Sequence, residues 1–301
     1  MNVKSKRIFA GPANASNAFR PGRVFVSVFL VLFASAIAQG APRGTPAPKP
    51  GDAPAKKAPP RIPLQEMIAR ADQVFQLPAG HLSGRLSVIT KTGEAALWDV
   101  SLHRKVLKEK HLTHTAMLYQ FSSKRRGLEA KVLIREDGES IWLWDALRRR
   151  LYRKRDREVF QGAMGTGFSF RELSGISLQS TYTGRRAISR PASGGSLVRL
   201  TLAPINPGRY RMLYLLADQD KSFRPLRIDF HGKNRILIKT MNLHYGSIRM
   251  SRRGVFRKAR FPVRMEILDL NSGMISRLEY FTLDETAAPE DAFFDPDFLN
   301  R

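Results

Sequence analysis

The sequence predicts an α+β fold that is mostly β, a strongly curved antiparallel meander of about eleven strands with helices covering the concave face. Apolar residues alternate at period two from residue 86 to residue 280. Short turns that contain glycine separate these runs, as is typical of half-buried strands in hairpin order. One helical pattern precedes them, and too few long loops are present for the crossings of a Greek-key sandwich.

The first element is an amphipathic helix that begins near Leu64. Pro63 stands where a helix can start, and Pro78 lies beyond its end. The apolar residues recur at helical spacing. They are Leu64, Met67, Ile68, Ala71, Val74 and Phe75.

Strands follow the helix. The first ones are marked by Leu86 and Val88; Ala96, Trp98, Val100 and Leu102; Met117, Tyr119 and Phe121; Ala130, Val132 and Ile134; and Trp142 and Trp144. Glycines at 93, 127 and 138 supply turn positions between them. After a Gly-rich loop over 161–167 and a short helix near 170–173, the alternation resumes and continues to Tyr280.

The most distinctive segment runs from Ile141 to Leu173. Trp142 and Trp144 share one face of a strand whose other face is also apolar, so we predict that both faces of this strand are covered. An arginine-rich strand follows, and alternation places Arg148 and Arg150 on the face opposite Arg153. These arginines could form a solvated strand face, a docking surface for an acidic partner, or a clamp for a phosphate or carboxylate headgroup.

The N-terminal residues predict export. Residues 1–38 have the pattern of a signal peptide, with a basic region, an apolar run over 24–38 and a closing Ala36-Ile-Ala38. That run is shorter than the roughly 20 residues of a membrane-spanning helix, although an uncleaved anchor stays open. Residues 39–63 are a Pro/Ala/Lys-rich disordered spacer, and 64–301 form the folded domain. The chain has no cysteine, so it carries no disulfide and is not itself a lipoprotein.

The charge favours anionic partners. The formal net charge is +25, of which about +16 falls on residues 64–301. An exported chain without a nucleic-acid recognition motif is not expected to bind nucleic acid. Anionic lipid or a membrane surface is the preferred partner, and a highly basic solvated exterior is the alternative.

No enzymatic chemistry, cofactor or metal is predicted. His111 and His114 have the spacing of a metal pair, but no third ligand follows at a useful distance. Four carboxylates lie within strand-like sequence beside arginines or apolar residues, without a second carboxylate in register, so cross-strand ion pairs are the better interpretation. They are Asp99, Asp145, Asp229 and Glu266. A hydrolase remains a third hypothesis, which a serine and histidine or paired carboxylates meeting in a cleft would revive.

Several phrases, in this order, resemble the LolA-like family of outer-membrane lipoprotein-sorting proteins. They are residues 142–153 (WLWDALRRRLYR), 168–173 (FSFREL), 223–230 (FRPLRIDF), 261–267 (FPVRMEI) and 291–299 (DAFFDPDFL), within a resemblance that covers roughly residues 64–301. The resemblance implies an incomplete β-barrel closed by helices over an apolar cavity for acyl chains. It implies a periplasmic, monomeric, non-enzymatic carrier or chaperone in lipoprotein transport, with an inner-membrane transporter as donor, an outer-membrane acceptor and transient membrane contact. The strong basicity, the proline spacer and the arginine cluster depart from that family, so the cargo stays open between lipoproteins and other acyl-chain lipids.

The candidate site residues follow from this combined interpretation. The candidates for the ligand cavity are Leu86, Val88, Trp98, Val100, Met117, Tyr119, Phe121, Val132, Ile134, Trp142, Trp144, Phe160, Phe168, Phe170 and Tyr214. The candidates for headgroup or partner contact are Arg148, Arg150 and Arg153, and loop 161–167 is the candidate lid. The alternative function is an envelope interaction module that docks on a transporter or an anionic envelope component through its basic face. A hollow of several hundred Å³ between sheet and helices would favour the carrier, and a filled core would favour the module.

Overall fold

The computed structural model describes residues 62–300, apart from 110–111, 124–127, 136–140, 147, 155, 176, 193–194, 206–208, 253 and 288. The predicted signal peptide over 1–38 and nearly all of the spacer over 39–63 lie outside the described residues. So do two of the predicted turn glycines, Gly127 and Gly138, together with His111 and the side chain of His114.

Three α-helices are assigned in the described chain. The predicted first helix is confirmed as α1 (Leu64–Phe75), which buries Ile68, Ala71 and Phe75. Two single-turn helices follow much later, α2 (Phe170–Leu173) and α3 (Leu178–Thr181). No helix among the described residues is both long enough and apolar enough to cross a bilayer.

The described strands number fifteen, more than the predicted eleven or so. They are β1 (Gly80–Ile89), β2 (Ala95–Glu109), β3 (Leu112–Ser123), β4 (Leu128–Arg135), β5 (Ile141–Asp145), β6 (Arg150–Lys154), β7 (Tyr182–Ala192), β8 (Gly195–Pro204), β9 (Met212–Asp218), β10 (Arg224–His231), β11 (Leu237–His244), β12 (Ser247–Met250), β13 (Phe256–Lys258), β14 (Arg264–Asp269) and β15 (Met274–Asp284). The mostly β prediction is confirmed.

All fifteen strands belong to one sheet, which is not a single meander. Thirteen of them pair in the order β6-β5-β4-β3-β2-β1-β15-β14-β11-β10-β9-β8-β7, and β12 and β13 lie off this path. The antiparallel pairing of β15 with β1 joins two meanders, so β6 and β7 are left as the edges of an open sheet. The chain therefore has to pass from one edge to the other, and it does so through residues 156–181, the crossover.

The sheet curves around one core. Thirteen strands at about 4.8 Å spacing would extend about 58 Å if they were flat, whereas α1 is only about 18 Å long. Nevertheless, inward-facing residues of both meanders share a single apolar cluster with α1 and the crossover. A Cβ added at Gly184, at a bulge in β7, would lie only 2.6 Å from the Leu64 side chain, so α1 packs closely on this strand.

The crossover is part of the core. Its buried side chains are apolar and belong to the cluster of the inner sheet face. They are Val159, Ala163, Phe168, Phe170, Leu173 and Leu178. The crossover therefore packs, together with α1, against the inner face of the curved sheet.

A second, smaller cluster lies on the outer face of the sheet. Two 3₁₀ turns, Asp291–Phe294 and Pro296–Asn300, place Phe294 and Leu299 against the outward-facing residues of β2, β3 and β4. Trp142 and Trp144 pack against this cluster, while Ile141 and Leu143 join the main core. The prediction that β5 is covered on both faces is thus confirmed, and the C-terminal segment supplies the outer cover.

Candidate functional site

Most of the predicted cavity residues meet on the concave face. Ten of them are buried members of the main core, namely Leu86, Trp98, Val100, Met117, Tyr119, Phe121, Val132, Ile134, Phe168 and Phe170. Phe160 is partly buried and packs against that core, and Val88 is buried on the same face of β1. These residues form one continuous apolar surface between the sheet and the crossover.

Three predicted cavity residues point the other way. Trp142 and Trp144 belong to the outer cluster under the C-terminal segment. Tyr214 lies on the outer face of β9, where its ring meets His231 edge-on at 4.8 Å and Arg199 lies 5.3 Å from it. Alternation shows which side chains share a face but not which face is the inner one. In β5 and β9 both faces carry apolar residues, so apolar character does not identify the inner face.

The three candidate headgroup arginines do not converge. Arg148 pairs with Asp145 at 2.8 Å, and Arg150 stands opposite Asp145 in the register of β5 with β6. Arg153 stacks over the Trp142 ring at 5.3 Å, and Arg135 approaches the same ring at 5.7 Å. The opposite facing of Arg150 and Arg153 follows the alternation in β6, so these side chains do not form one clamp.

A buried ion pair, absent from the sequence predictions, fastens the crossover to the sheet. Lys239 of β11 is 1 % exposed, and its Nζ donates to Glu172 Oε2 at 2.6 Å and to the Gly167 carbonyl oxygen at 3.1 Å. Burial lowers the pKa of Lys239, and the Glu172 carboxylate opposes that shift. The rings of Tyr210 and Phe230 lie 5.3 and 5.2 Å from the ammonium. We call Lys239, Glu172 and Tyr210 the polar tie.

Glu172 is held on both of its carboxylate oxygens. Oε1 accepts from the Tyr210 hydroxyl at 3.0 Å, and Oε2 accepts from the Ser169 N–H at 2.8 Å as well as from Lys239. Ser169 and Glu172 form a reciprocal capping box at the start of α2. Burial raises the pKa of the Tyr210 hydroxyl, and the adjacent Glu172 charge raises it further. The carboxylate is thus fully satisfied within the protein.

Further hydrogen bonds hold the crossover along its length. The Gly167 N–H donates to Ser276 Oγ at 2.9 Å, and the Tyr119 hydroxyl donates to the Leu173 carbonyl oxygen at 2.8 Å. Burial raises the pKa of Tyr119 to about 12. The Leu178 N–H donates to Asp72 of α1 at 2.6 Å. Loop 161–167, the predicted lid, is therefore tethered to the inner face in this conformation.

Sequence signals for these ties exist but are weak. Ser169 and Glu172 have the spacing of a capping box, which predicts a helix start. Lys239 occupies an inward row with Met241 and Leu243 on β11. A lysine in such a row indicates a buried carboxylate partner, but only the fold shows that the partner is Glu172.

Two small pockets beneath the helices are lined by described residues. A pocket of about 40 Å³ is lined by residues that include Asp72, Phe75 and Met117. Another of about 10 Å³ is lined by residues that include Glu172, Leu173 and Met241. Neither is large enough for an acyl chain, because one buried water already needs about 10 to 15 Å³ of such space. In this conformation the crossover's own side chains pack on the concave face.

A larger open groove crosses the outer face of β15 and β1–β4. Its volume is about 590 Å³, and its lining includes Arg85, Asp99, Lys131 and Phe281. Arg85 pairs with Asp99 at 3.7 Å and lies 5.8 Å from the Phe281 ring. This lining of mixed charge suits a polar partner better than an acyl chain.

A histidine pair also lies on the outer face. The rings of His81 and His103 stack with centroids 4.4 Å apart, and His81 Nε2 hydrogen-bonds Ser101 Oγ at 2.8 Å. Burial lowers the pKa of His103 to about 4, and the neighbouring His81 adds to that shift. The described part of the chain contains no group of three His, Cys, Asp or Glu side chains placed to hold a metal.

Comparison with solved structures identifies the class of fold. No family model matches the sequence, and no curated protein sequence matches it. A DUF1329 family protein from Desulfovibrio piger superposes with a TM-score of 0.64 at 15 % identity, covering 78 % of this chain and 97 % of that one. An outer membrane lipoprotein-sorting protein domain from Vibrio parahaemolyticus gives 0.60 at 17 %, covering 78 % and 97 %. A LolA superfamily protein from Nitrosomonas europaea gives 0.60 at 16 %, covering 79 % and 100 %.

The chain therefore has the LolA-like fold. The structural neighbours are DUF1329 and LolA-superfamily proteins, one of them named for outer-membrane lipoprotein sorting. At 15 to 17 % identity the likeness concerns the fold alone, over most of the chain.

Proposed function

We propose that this protein is a periplasmic, non-enzymatic carrier that takes up the acyl chains of lipoproteins or other lipids between its sheet and its crossover, for transfer toward the outer membrane. The observation that carries the proposal is that the inner sheet face and the crossover covering it are both mainly apolar. An acyl chain can replace such a cover without exposing the sheet to water. The described structure is then the empty, closed state.

The apolar contributions to this exchange are close to balance. Four large crossover side chains are buried, Phe168, Phe170, Leu173 and Leu178. Their burial contributes about 1.5 to 3 kcal/mol each, or about 6 to 12 kcal/mol together. An acyl chain with about fourteen methylenes gains about 11 kcal/mol at about 0.8 kcal/mol for each methylene. The apolar gain of one chain therefore lies within the range of the apolar loss, and the cost of separating the buried polar groups comes in addition.

The polar tie favours the closed state over partly open states. Displacement of the crossover separates Glu172 from Lys239 and breaks the hydrogen bonds of Gly167 and Leu173. A buried charge without its partner is costly, so partly open states are disfavoured and the cover moves as a unit. Two well-defined states, closed when empty and open when loaded, follow from this arrangement.

The wider role rests on the fold and on the N-terminal sequence. One structural neighbour is named for sorting outer membrane lipoproteins. The signal-peptide pattern over 1–38 supports export to the periplasm. In this role a monomer receives cargo from an inner-membrane transporter and delivers it to an outer-membrane acceptor.

A disulfide lock tests the proposal. A Cβ placed on Gly167 would lie 3.7 Å from the Ile267 Cβ. This separation is within the range of about 3.5 to 4.5 Å found in disulfides. The chain has no cysteine of its own, so Gly167→Cys with Ile267→Cys gives one defined bond between crossover and sheet.

Uptake of a fluorescent long-chain fatty acid and of a synthetic diacylated lipopeptide is measured with the lock oxidised and then reduced. The carrier proposal predicts that oxidation abolishes uptake and that reduction restores it, while each single cysteine variant binds in both conditions. Equal uptake in the oxidised and reduced forms would contradict binding beneath the crossover.

The alternative is an envelope interaction module, which the filled concave face favours. The pockets of about 40 and 10 Å³ beneath the helices are what a permanently closed core would show. In that case the oxidised lock captures its transporter or anionic envelope partner as well as the reduced protein does, and neither form takes up acyl chains. Charge reversal at Arg148, Arg150 and Arg153 would then abolish capture.

A further inference from the structure

The β12–β13 hairpin stands apart from the rest of the sheet. It lies off the main strand order and is joined to it where β12 runs parallel to the end of β15, with Arg249 opposite Thr282. Within the hairpin, Arg249 stands opposite Phe256 and Ser247 opposite Lys258. The hairpin thus forms a short two-stranded ribbon beside the end of β15.

The two faces of this hairpin differ sharply. Ile248 is buried in the main core, and Met250 and Ala259 pack against that core. On the outside, Phe256 is 72 % exposed and Val255 is 53 % exposed. The inner face therefore anchors the hairpin, while two large apolar side chains stay in water beside its turn.

Cations surround these exposed apolar residues. Residues 247–260 contain six basic residues and no acidic one. The basic residues are Arg249, Arg252, Arg253, Arg257, Lys258 and Arg260, of which Arg253 lies outside the described residues. Arg252 and Arg257 reach Asp284 and Glu285 at the end of β15. Among the described residues, no carboxylate lies within ion-pair distance of the other three, so the outer face keeps a positive charge.

We propose that the β12–β13 hairpin docks this protein on the surface of an anionic lipid bilayer. Phosphate headgroups match the arginines and the lysine, and the exposed Phe256 and Val255 suit the boundary between headgroups and acyl chains. An acidic protein surface would match the cations but would leave the two apolar side chains without a role. This surface is separate from the concave face, so the inference stands independently of the proposed carrier function.

Vesicle co-sedimentation tests the charged part of this surface. The probes are vesicles of phosphatidylcholine alone and vesicles that also contain phosphatidylglycerol. The test variant is Arg249→Ala/Lys258→Ala/Arg260→Ala. The matched control is Arg185→Ala/Arg186→Ala/Arg190→Ala, which removes three exposed cations from the edge strand β7.

The wild-type protein is expected to sediment with phosphatidylglycerol vesicles and not with phosphatidylcholine alone. The hairpin variant should lose about ten- to one-hundredfold in affinity, because each cation near an anionic surface contributes a factor of about five. The control should lose less than about threefold. Equal losses in both variants would overturn the proposal, because they would show attraction to the overall charge.

Phe256→Ser tests the apolar part against Ile236→Ser, which changes an equally exposed residue at the turn between β10 and β11. Phe256→Ser should weaken binding while leaving its salt dependence unchanged, and Ile236→Ser should have no effect. No loss with Phe256→Ser, or binding to an acidic peptide without binding to anionic vesicles, would overturn docking on a membrane. Melting curves of all variants confirm folding, and fatty-acid uptake measured on the same samples should stay unchanged.

Discussion

Lys239 and Glu172 join the two halves of the candidate site, since the lysine belongs to the sheet and the glutamate to the crossover, with 2.6 Å between Nζ and Oε2. Both side chains are almost completely buried. The other hydrogen bonds of these side chains, from Tyr210 and Ser169 to Glu172 and from Lys239 to the Gly167 carbonyl, do not neutralise a charge left by removal of the other residue. The pair therefore couples the stability of the fold to the position of the crossover.

Removal of one member of this pair should be more damaging than neutralisation of both. Lys239→Met leaves the Glu172 carboxylate buried without its cation, so we expect a loss of about 3 to 5 kcal/mol in the free energy of unfolding. Lys239→Met/Glu172→Gln should be the more stable of the two variants, because the amide keeps its hydrogen bonds without a charge. Urea denaturation measures the free energy of unfolding of both variants. If the single variant loses less than about 1 kcal/mol, the ion pair does not fasten the crossover.

Tyr119→Phe should loosen the crossover. The variant removes the hydrogen bond from the Tyr119 hydroxyl to the Leu173 carbonyl oxygen, and also the hydrogen bond between the Tyr119 and Tyr280 hydroxyls. The expected cost is about 1 to 2 kcal/mol, together with faster amide hydrogen exchange in residues 167–178. Tyr214→Phe, on the outer face, is the matched control and should leave exchange there unchanged. Equal protection of the amides of residues 167–178 from exchange in the two variants would show that the Tyr119–Leu173 hydrogen bond does not hold the crossover.

The His81–His103 pair predicts lower stability in acid. The pKa of His103 is about 4 in the folded protein and about 6.5 unfolded, so between these values the unfolded state binds more protons. The free energy of unfolding should therefore fall as the pH falls from about 6.5 to about 4, by about 1 to 2 kcal/mol after allowance for partial exposure. His103→Gln should reduce this slope, as measured by melting between pH 4 and 7. An unchanged slope in His103→Gln would assign the effect to other groups.

Tryptophan fluorescence should distinguish the two faces of the sheet. Trp98 lies in the inner core, whereas Trp142 and Trp144 lie in the outer cluster. A brominated fatty acid should quench the fluorescence of the Trp142→Phe/Trp144→Phe variant, in which Trp98 is the remaining tryptophan. The fluorescence of the Trp98→Phe variant should not be quenched. The reverse pattern would place the acyl chain on the outer face.

Elements with one strong periodicity were predictable from the sequence. The helix from Leu64 carries a single apolar stripe and forms as expected. Most predicted cavity residues lie on the inner face because their strands alternate clearly between apolar and polar side chains. The mostly β class follows from many such strands.

Features that depend on distant parts of the chain were not predictable in this way. Trp142 packs against an outer cluster that includes Phe294 and Leu299, about 150 residues further on, so local alternation could not reveal that its face is the outer one. On β11, Lys239 faces inward with Met241, and its partner Glu172 lies 67 residues earlier in the chain, so the local pattern could not reveal the ion pair. Similarly, the pairing of β15 with β1, which turns one meander into two, has no local signal.

Photo-crosslinking tests the central claim most directly. A lipopeptide whose acyl chain carries a diazirine is added to the purified protein, and the mixture is irradiated. The labelled residues are then identified by mass spectrometry. Acyl uptake beneath the crossover predicts labels on inner-face residues such as Leu86, Phe121 and Ile134, and their loss when the Gly167→Cys/Ile267→Cys lock is oxidised. Labels confined to Trp142, Tyr214 and other outer-face residues, or labels on the inner face that persist in the oxidised lock, would contradict the account.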